Sequence, residues 1–302
     1  MVLNLPAQFT YQPEIINKEK LKPFKHIIIA GMGGSRMAPD ILTMLYPELD
    51  IHVCSSSYLP GLSDEYLSEA LVIANSHSGN TKEILMFAAA ALQKGLNVAT
   101  VSTGGELASW AIANNLAYII TPARGEPARL GVGSNLVALM TLLALSVLNL
   151  GDFPTLEQQG KELAEFLAGG IPVVYMSHRY NALGYMWKVI LNETANIPAF
   201  CNRYPELFHN EVVAFDSQLS QSLRYLIVRD GADTDLKRVN ALVDFLKSKN
   251  ISCMPIDMVQ GTDIEKIFLS FVLAHWTALA LAEKTGVDAI STPAIDEFKK
   301  TA

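Results

Sequence analysis

Short, strongly apolar runs alternate with helix-length amphipathic segments along the whole chain. HIIIA (26–30) reads as a strand that runs into a glycine corner, and APDILTMLYPE (38–48) reads as a short helix after it. IHVCSS (51–56) and ALVIANS (70–76) read as strands, and EILMFAAAALQKG (83–95) as the next helix. NVATVST (97–103), GELASWAIANN (105–115) and AYIITPA (117–123) continue the alternation, and a helix around Leu136–Leu148 closes this half. Apolar strands separated by helices are the pattern of a parallel sheet with crossover helices.

A second series follows LGDFPTLEQQG, which reads as a connection leading into the helix LEQQGKELAEFLAGG (156–170). PVVYMS (172–177), PAFCN (198–202), LRYLIVRD (223–230) and SCMPID (252–257) read as strands. NALGYMWKVILNETAN (181–196), TDLKRVNALVDFLKSKN (234–250) and a long segment, Asp263–Lys284, read as helices. The tail STPAIDEFKKTA (291–302) reads as a loop with one last helical turn. The pattern predicts an α/β chain of two doubly wound parallel-sheet domains in tandem, residues 1–152 and 153–302.

Two stretches invite a membrane test. NLVALMTLLALSVLNL (135–150) is short and interrupted by asparagine, and IFLSFVLAHWTALALAE (267–283) carries His275 in mid-run. A span needs about 18–20 uninterrupted apolar residues, so both read as buried helices, and no membrane partner is expected. The N-terminal segment carries prolines and charges and does not read as a secretory leader.

Composition narrows the function. Of 302 residues, 50% are hydrophobic and 18% charged, and the net charge is −7. An acidic chain offers no basic face for a phosphate backbone, so no nucleic acid is expected. Cys54, Cys201 and Cys253 are dispersed in apolar stretches, which suits buried thiols in a reducing, cytoplasmic compartment. The six histidines (His26, His52, His77, His178, His209 and His275) form no metal-binding spacing, so neither metal nor cofactor is expected.

Two corners carry candidate chemistry. ANSHSGNTKE (74–83) places Ser76, Ser78 and Thr81 around Gly79 at the start of a helix. Unpaired N–H groups and the dipole make a helix N-terminus an anion site, and glycine lets the backbone approach. Asn80 followed by Glu83 also fits a capping box, but a cap uses one such group and three hydroxyls remain. The other corner is AGMGGSR (30–36). A dinucleotide fingerprint is disfavoured, because Arg36 stands at its third glycine position and the next strand ends in serines rather than an acid. Gly33, Gly34 and Ser35 are instead placed to meet a sugar or phosphate. The equivalent corner of the second half, IVRDGADTD, is acidic, so one phosphate site per chain is expected.

With both corners in a duplicated α/β chain, the sequence resembles the sugar isomerase (SIS) domain superfamily. Within it, GMGGS, SHSGNT, NETANI, PELFHN and STPAID, in that order, resemble the bifunctional phosphoglucose/phosphomannose isomerases along essentially the whole chain. The resemblance implies tandem SIS domains and a metal-independent aldose–ketose isomerase acting on a phosphorylated hexose through a cis-enediol. It implies Glu193 as the base, His209 as the ring-opening group reaching into a neighbouring subunit's site, Arg129 as the enediolate stabiliser and Lys299 as a further site group. It implies Thr292 near the sugar's C1–C2 region, associated with acceptance of both C2 epimers, and a homodimer with shared active sites. Arg124, close to Arg129, is a rival for its role, and Glu206 is a possible second acid. Arg36 departs from the small residue usual after GGS, and His77 sits between the loop serines. Two alternatives stay open: a non-catalytic SIS sensor of a sugar phosphate, and an isomerase of another phosphosugar.

Overall fold

The computed structural model describes residues 5–123, 125–146 and 154–301. The chain divides into two compact units, 1–153 and 154–302, and each is a parallel sheet clothed by helices.

In the first unit, β1 (His26–Ala30), β2 (Ile51–Cys54), β3 (Ala70–Ser76), β4 (Asn97–Ser102) and β5 (Ala117–Ile120) pair in the order β2-β1-β3-β4-β5. All four pairings are parallel. Every residue of β3 and β4 is buried, as expected of central strands covered on both faces. Ile28, Val72, Phe87 and Leu107 are among the side chains of one core under this sheet. Burying a side chain of that size contributes roughly 1.5–3 kcal/mol. The strand order reverses between β1 and β3, so the carboxyl ends of these two strands form the switch point where α/β sheets bind ligands. Both glycine-and-serine corners lie there.

Among the described residues this unit has six α-helices: α1 (Leu5–Gln8), α2 (Gly34–Leu45), α3 (Asp64–Ser68), α4 (Lys82–Gln93), α5 (Gly105–Ala113) and α6 (Val132–Leu142). The predicted helix at Ala38 begins at Gly34 instead, with Pro39 inside it. Proline has no N–H to give the Ser35 carbonyl four residues back. The buried Asn75 replaces it, its Nδ2 donating to Ser35 O at 2.6 Å. The helix expected around Leu136–Leu148 starts at Val132 and ends at Leu142, with Ala144 at φ 53° beyond it. Residues 147–150 lie outside the described residues. All of α6 except Thr141 is buried.

In the second unit, β6 (Ile171–Ser177), β7 (Phe200–Tyr204), β8 (Leu223–Arg229) and β9 (Cys253–Asp257) pair in the order β7-β6-β8-β9, again all parallel. The helices are α7 (Glu157–Leu167), α8 (Asn181–Ala195), α9 (Leu236–Ser248), α10 (Asp263–Thr285) and α11 (Pro293–Thr301). By length and composition α10 passes a membrane test, yet it is a core helix packed on α7 and α8. Its start is fixed by a capping box of Thr262 and Glu265, and Gly286 ends it at φ 69°. Gly160 of α7 lets the two helices approach, since a Cβ there would stand 2.5 Å from the Trp276 Cβ. The tail forms nine residues of helix, α11, rather than a single turn. Between β7 and β8, residues 206–222 form a run of 3-10 turns that no hydrophobic period announced.

Candidate functional site

The two corners of the first unit are bonded to each other. Ser35, at the start of α2, accepts at Oγ from the His77 amide at 2.9 Å, which leaves its hydroxyl proton to be donated. Behind them Asn75 and Asn135 exchange side-chain hydrogen bonds of 2.9 and 2.6 Å. Two buried amides that satisfy each other hold the end of β3 against α6. Neither asparagine was singled out from the sequence, although an amide closing an apolar strand is a visible signal.

Within the loop, the Ser76 and Thr81 hydroxyls lie 3.0 Å apart, and the Gly79 amide donates to Ser76 Oγ at 3.2 Å. Gly79 has φ 70°, and a Cβ on it would lie 1.9 Å from Gly104 O. The loop is stitched to the β4–α5 corner, where Thr103 donates from N and Oγ1 to His77 O at 2.9 and 2.7 Å. The rival capping-box reading does not hold here. The N-cap of α4 is Thr81, whose side chain makes no cap hydrogen bond. Asn80 serves the next helix, its Oδ1 accepting from the Glu106 amide at 3.0 Å. Ser78 is exposed at the lip, and its Oγ accepts from the Asn80 amide. The His77 ring turns to the 126–131 segment, with Nε2 3.0 Å from Glu126 O.

Gly33 has φ 52° and precedes α2. Gly34 lies against the backbone of Ala128 and Arg129, and a Cβ there would come within 2.5 Å of Arg129 N. Arg129 sits in a 3-10 turn, Ala128–Leu130, and is 1% exposed. Its rival Arg124 lies outside the described residues. Gly33, Gly34, Ser35, Ser76, Thr81 and Arg129 therefore converge at the switch point, an arrangement of donors suited to an anion. Arg36 does not lie across the glycines. Its Nε donates to buried Asp40 at 3.0 Å and its Nη1 to Ser55 at 3.2 Å. Burial pushes the Asp40 carboxyl up to about 6, against the opposing pull of Arg36.

In the second unit, Glu193 and Thr292 line one cavity of about 500 Å³, together with Asn192, Asn196, Pro198 and Ile295. Helix α8 stops at Asn196, whose φ of 53° is left-handed, and Pro198 bars its continuation. Asn192 Nδ2 donates to Ile197 O at 2.8 Å, which fixes the turn bearing Glu193. His209 is exposed at the end of a 3-10 turn, and neither it nor Lys299, exposed on α11, lines this cavity. Glu206 accepts from Asn210 Nδ2 at 3.1 Å. After β8, Asp230 and Lys266 form a buried ion pair, 2.8 Å to each carboxylate oxygen. Among the described residues no group of three or more His, Cys, Asp or Glu side chains gathers to hold a metal ion.

The fold and the corner at its switch point define a SIS-domain chain. Residues 156–301 match the bacterial phospho-glucose isomerase C-terminal SIS domain. The C-terminal domain of glucosamine-fructose-6-phosphate aminotransferase from Francisella tularensis superposes with a TM-score of 0.73 at 14% identity, covering 96% of each chain. The bifunctional phosphoglucose/phosphomannose isomerase of Aquifex aeolicus is 28% identical over 93% of this chain and 91% of its own. The D-glucosamine-6-phosphate 4-epimerase of Sulfolobus acidocaldarius is 26% identical over 78% and 80%. Over most of its length the chain is similar to bifunctional phosphoglucose/phosphomannose isomerases, at 27–28% identity.

Proposed function

We propose that the protein is a metal-independent aldose–ketose isomerase that interconverts glucose 6-phosphate and mannose 6-phosphate with fructose 6-phosphate. The observation that carries this reading is the cavity in which Glu193 meets Thr292, from the other end of the second unit's sequence. A carboxylate lining a cavity of ligand size is placed to move a proton between C2 and C1. Glu193 takes the C2 proton of the open aldose to give the cis-enediol and returns it to C1. His209 moves the proton between O1 and O5 that opens the ring. Ser35, Ser76, Ser78, Thr81 and the backbone at Gly33 and Gly34 hold the phosphate, and Lys299 adds a cation. Arg129 offsets the charge of the enediolate. The active form is a homodimer in which His209 serves the neighbouring subunit.

Purified protein in EDTA, supplied with fructose 6-phosphate and followed by NMR, is expected to form glucose and mannose 6-phosphates. Glucose 6-phosphate alone would remove the dual specificity. No turnover with any of the three hexose phosphates, but turnover of glucosamine 6-phosphate, would overturn the substrate assignment. Glu193→Gln is expected to lower kcat by about 10²–10⁴-fold, the worth of a positioned acid–base group, with ligand binding retained. A wild-type kcat in that variant would dismiss Glu193 as the base.

A further inference from the structure

We propose that Glu211 is a positioning residue that fixes the His209 segment on the second sheet. The inference rests on the reading of His209 as the ring-opening group. Tyr175 of β6 donates its hydroxyl to Glu211 Oε2, and Asn202 of β7 donates its side-chain amide to Glu211 Oε1. One carboxylate, two residues after His209, thus ties the 3-10 run to two adjacent strands. Tyr175 is fully buried in the sheet's core. Burial and the Glu211 carboxylate together push its phenol far above the ordinary range, so it stays a donor. Asn202 has no freedom to turn its amide over, because its Oδ1 accepts from the Arg203 amide at 2.8 Å.

The other side of His209 is held as well. The Phe208 ring stacks on Tyr204 with centroids 6.1 Å apart, and the Arg238 guanidinium lies 4.4 Å above it. The exposed histidine therefore projects from a segment fixed on both sides, at Phe208 and at Glu211, rather than from a free loop. A proton-transfer group that acts from the surface needs such a base, since a misplacement of about 1 Å costs on the order of 10²-fold in rate.

Glu211→Gln keeps the shape and replaces one acceptor by an N–H₂ group that faces a donor. The test compares kcat and KM of Glu211→Gln, His209→Asn and the double variant, with melting temperatures for each. Acting through His209, Glu211→Gln is expected to lower kcat about 10-fold or more, within the 10²–10⁴-fold worth of the group it positions, with KM unchanged. The double variant is expected to match His209→Asn, because no further loss remains once the histidine is gone. Should Glu211→Gln fail to fold, Tyr175→Phe, which keeps the carboxylate and removes one donor, serves in its place with the same expectation. Losses that multiply in the double variant, or a normal kcat beside an inactive His209→Asn, would overturn the anchor alone. A fully active His209→Asn would overturn the reading of His209 itself, and the anchor with it.

Discussion

Arg36 and Asp40 show how one departure from the family pattern is absorbed at the scale of single residues. The guanidinium stands where a small side chain is usual, yet it is drawn off the corner by a carboxylate one turn along α2 and by Ser55. Asp40 is 4% exposed, and desolvation outweighs its partner, so its pKa rises from 3.8 to about 6. Between those values the folded protein keeps a proton that the unfolded chain has lost. Stability contributed at this site is therefore greatest below about pH 4 and declines as pH rises towards 6. The full shift corresponds to on the order of 3 kcal/mol. Asp40→Asn keeps an acceptor for Arg36 and removes the titration. Urea midpoints from pH 4 to pH 8 are expected to show wild type losing ground to this variant as pH rises. A constant difference would mean that Asp40 titrates alike in both states. The sequence disclosed Arg36 as an oddity, but its partner was not legible, because an acid four residues on reads equally well as a solvated helix charge.

At the scale of elements, the corners were legible because their chemistry is local. Glycine and hydroxyl residues closing an apolar strand before a helix need no tertiary knowledge to be read. What failed to read was long-range. Asn80 was matched to Glu83 by spacing, whereas it caps α5, which lies 26 positions along the chain but adjacent across the sheet. The start of α2 was read four residues late, at Ala38, which put Pro39 in the first turn; only the fold brings Asn75 to the carbonyl that Pro39 orphans inside the longer helix. The 206–222 run has no period to detect, and Glu211, which anchors it, was overlooked for that reason. The interlock of corners predicts the outcome of Gly79→Ala. A left-handed φ costs an alanine about 1 kcal/mol or more, and a methyl 1.9 Å from Gly104 O must push two backbones apart. The variant is expected to melt lower than wild type and to bind the sugar phosphate at least 10-fold more weakly, as read by titration calorimetry, since a contact made by backbone amides is worth about 1.5–3 kcal/mol when charged. Unchanged affinity would place the phosphate away from this corner.

At the scale of the whole molecule, the second unit leaves large apolar side chains uncovered around the histidine segment. Val213 and Leu219, in the same run of turns as His209, are 79% and 80% exposed. Exposed apolar groups beside a candidate reactive side chain are expected at a subunit interface. This gives the proposed sharing of sites a sharp test. In a symmetric dimer each site would draw Glu193 from one subunit and His209 from the other. Homodimers of Glu193→Gln and of His209→Asn are each expected to be inactive. Mixed in equal amounts and allowed to exchange subunits, half become heterodimers. One site in each heterodimer carries both substitutions and the other carries neither, so activity is expected to return to roughly a quarter of the wild-type rate. Recovery should follow the kinetics of subunit exchange and disappear when the dimers are cross-linked before mixing. If Glu193 and His209 serve a site within one chain, every site in every mixture keeps a lesion, and no activity returns.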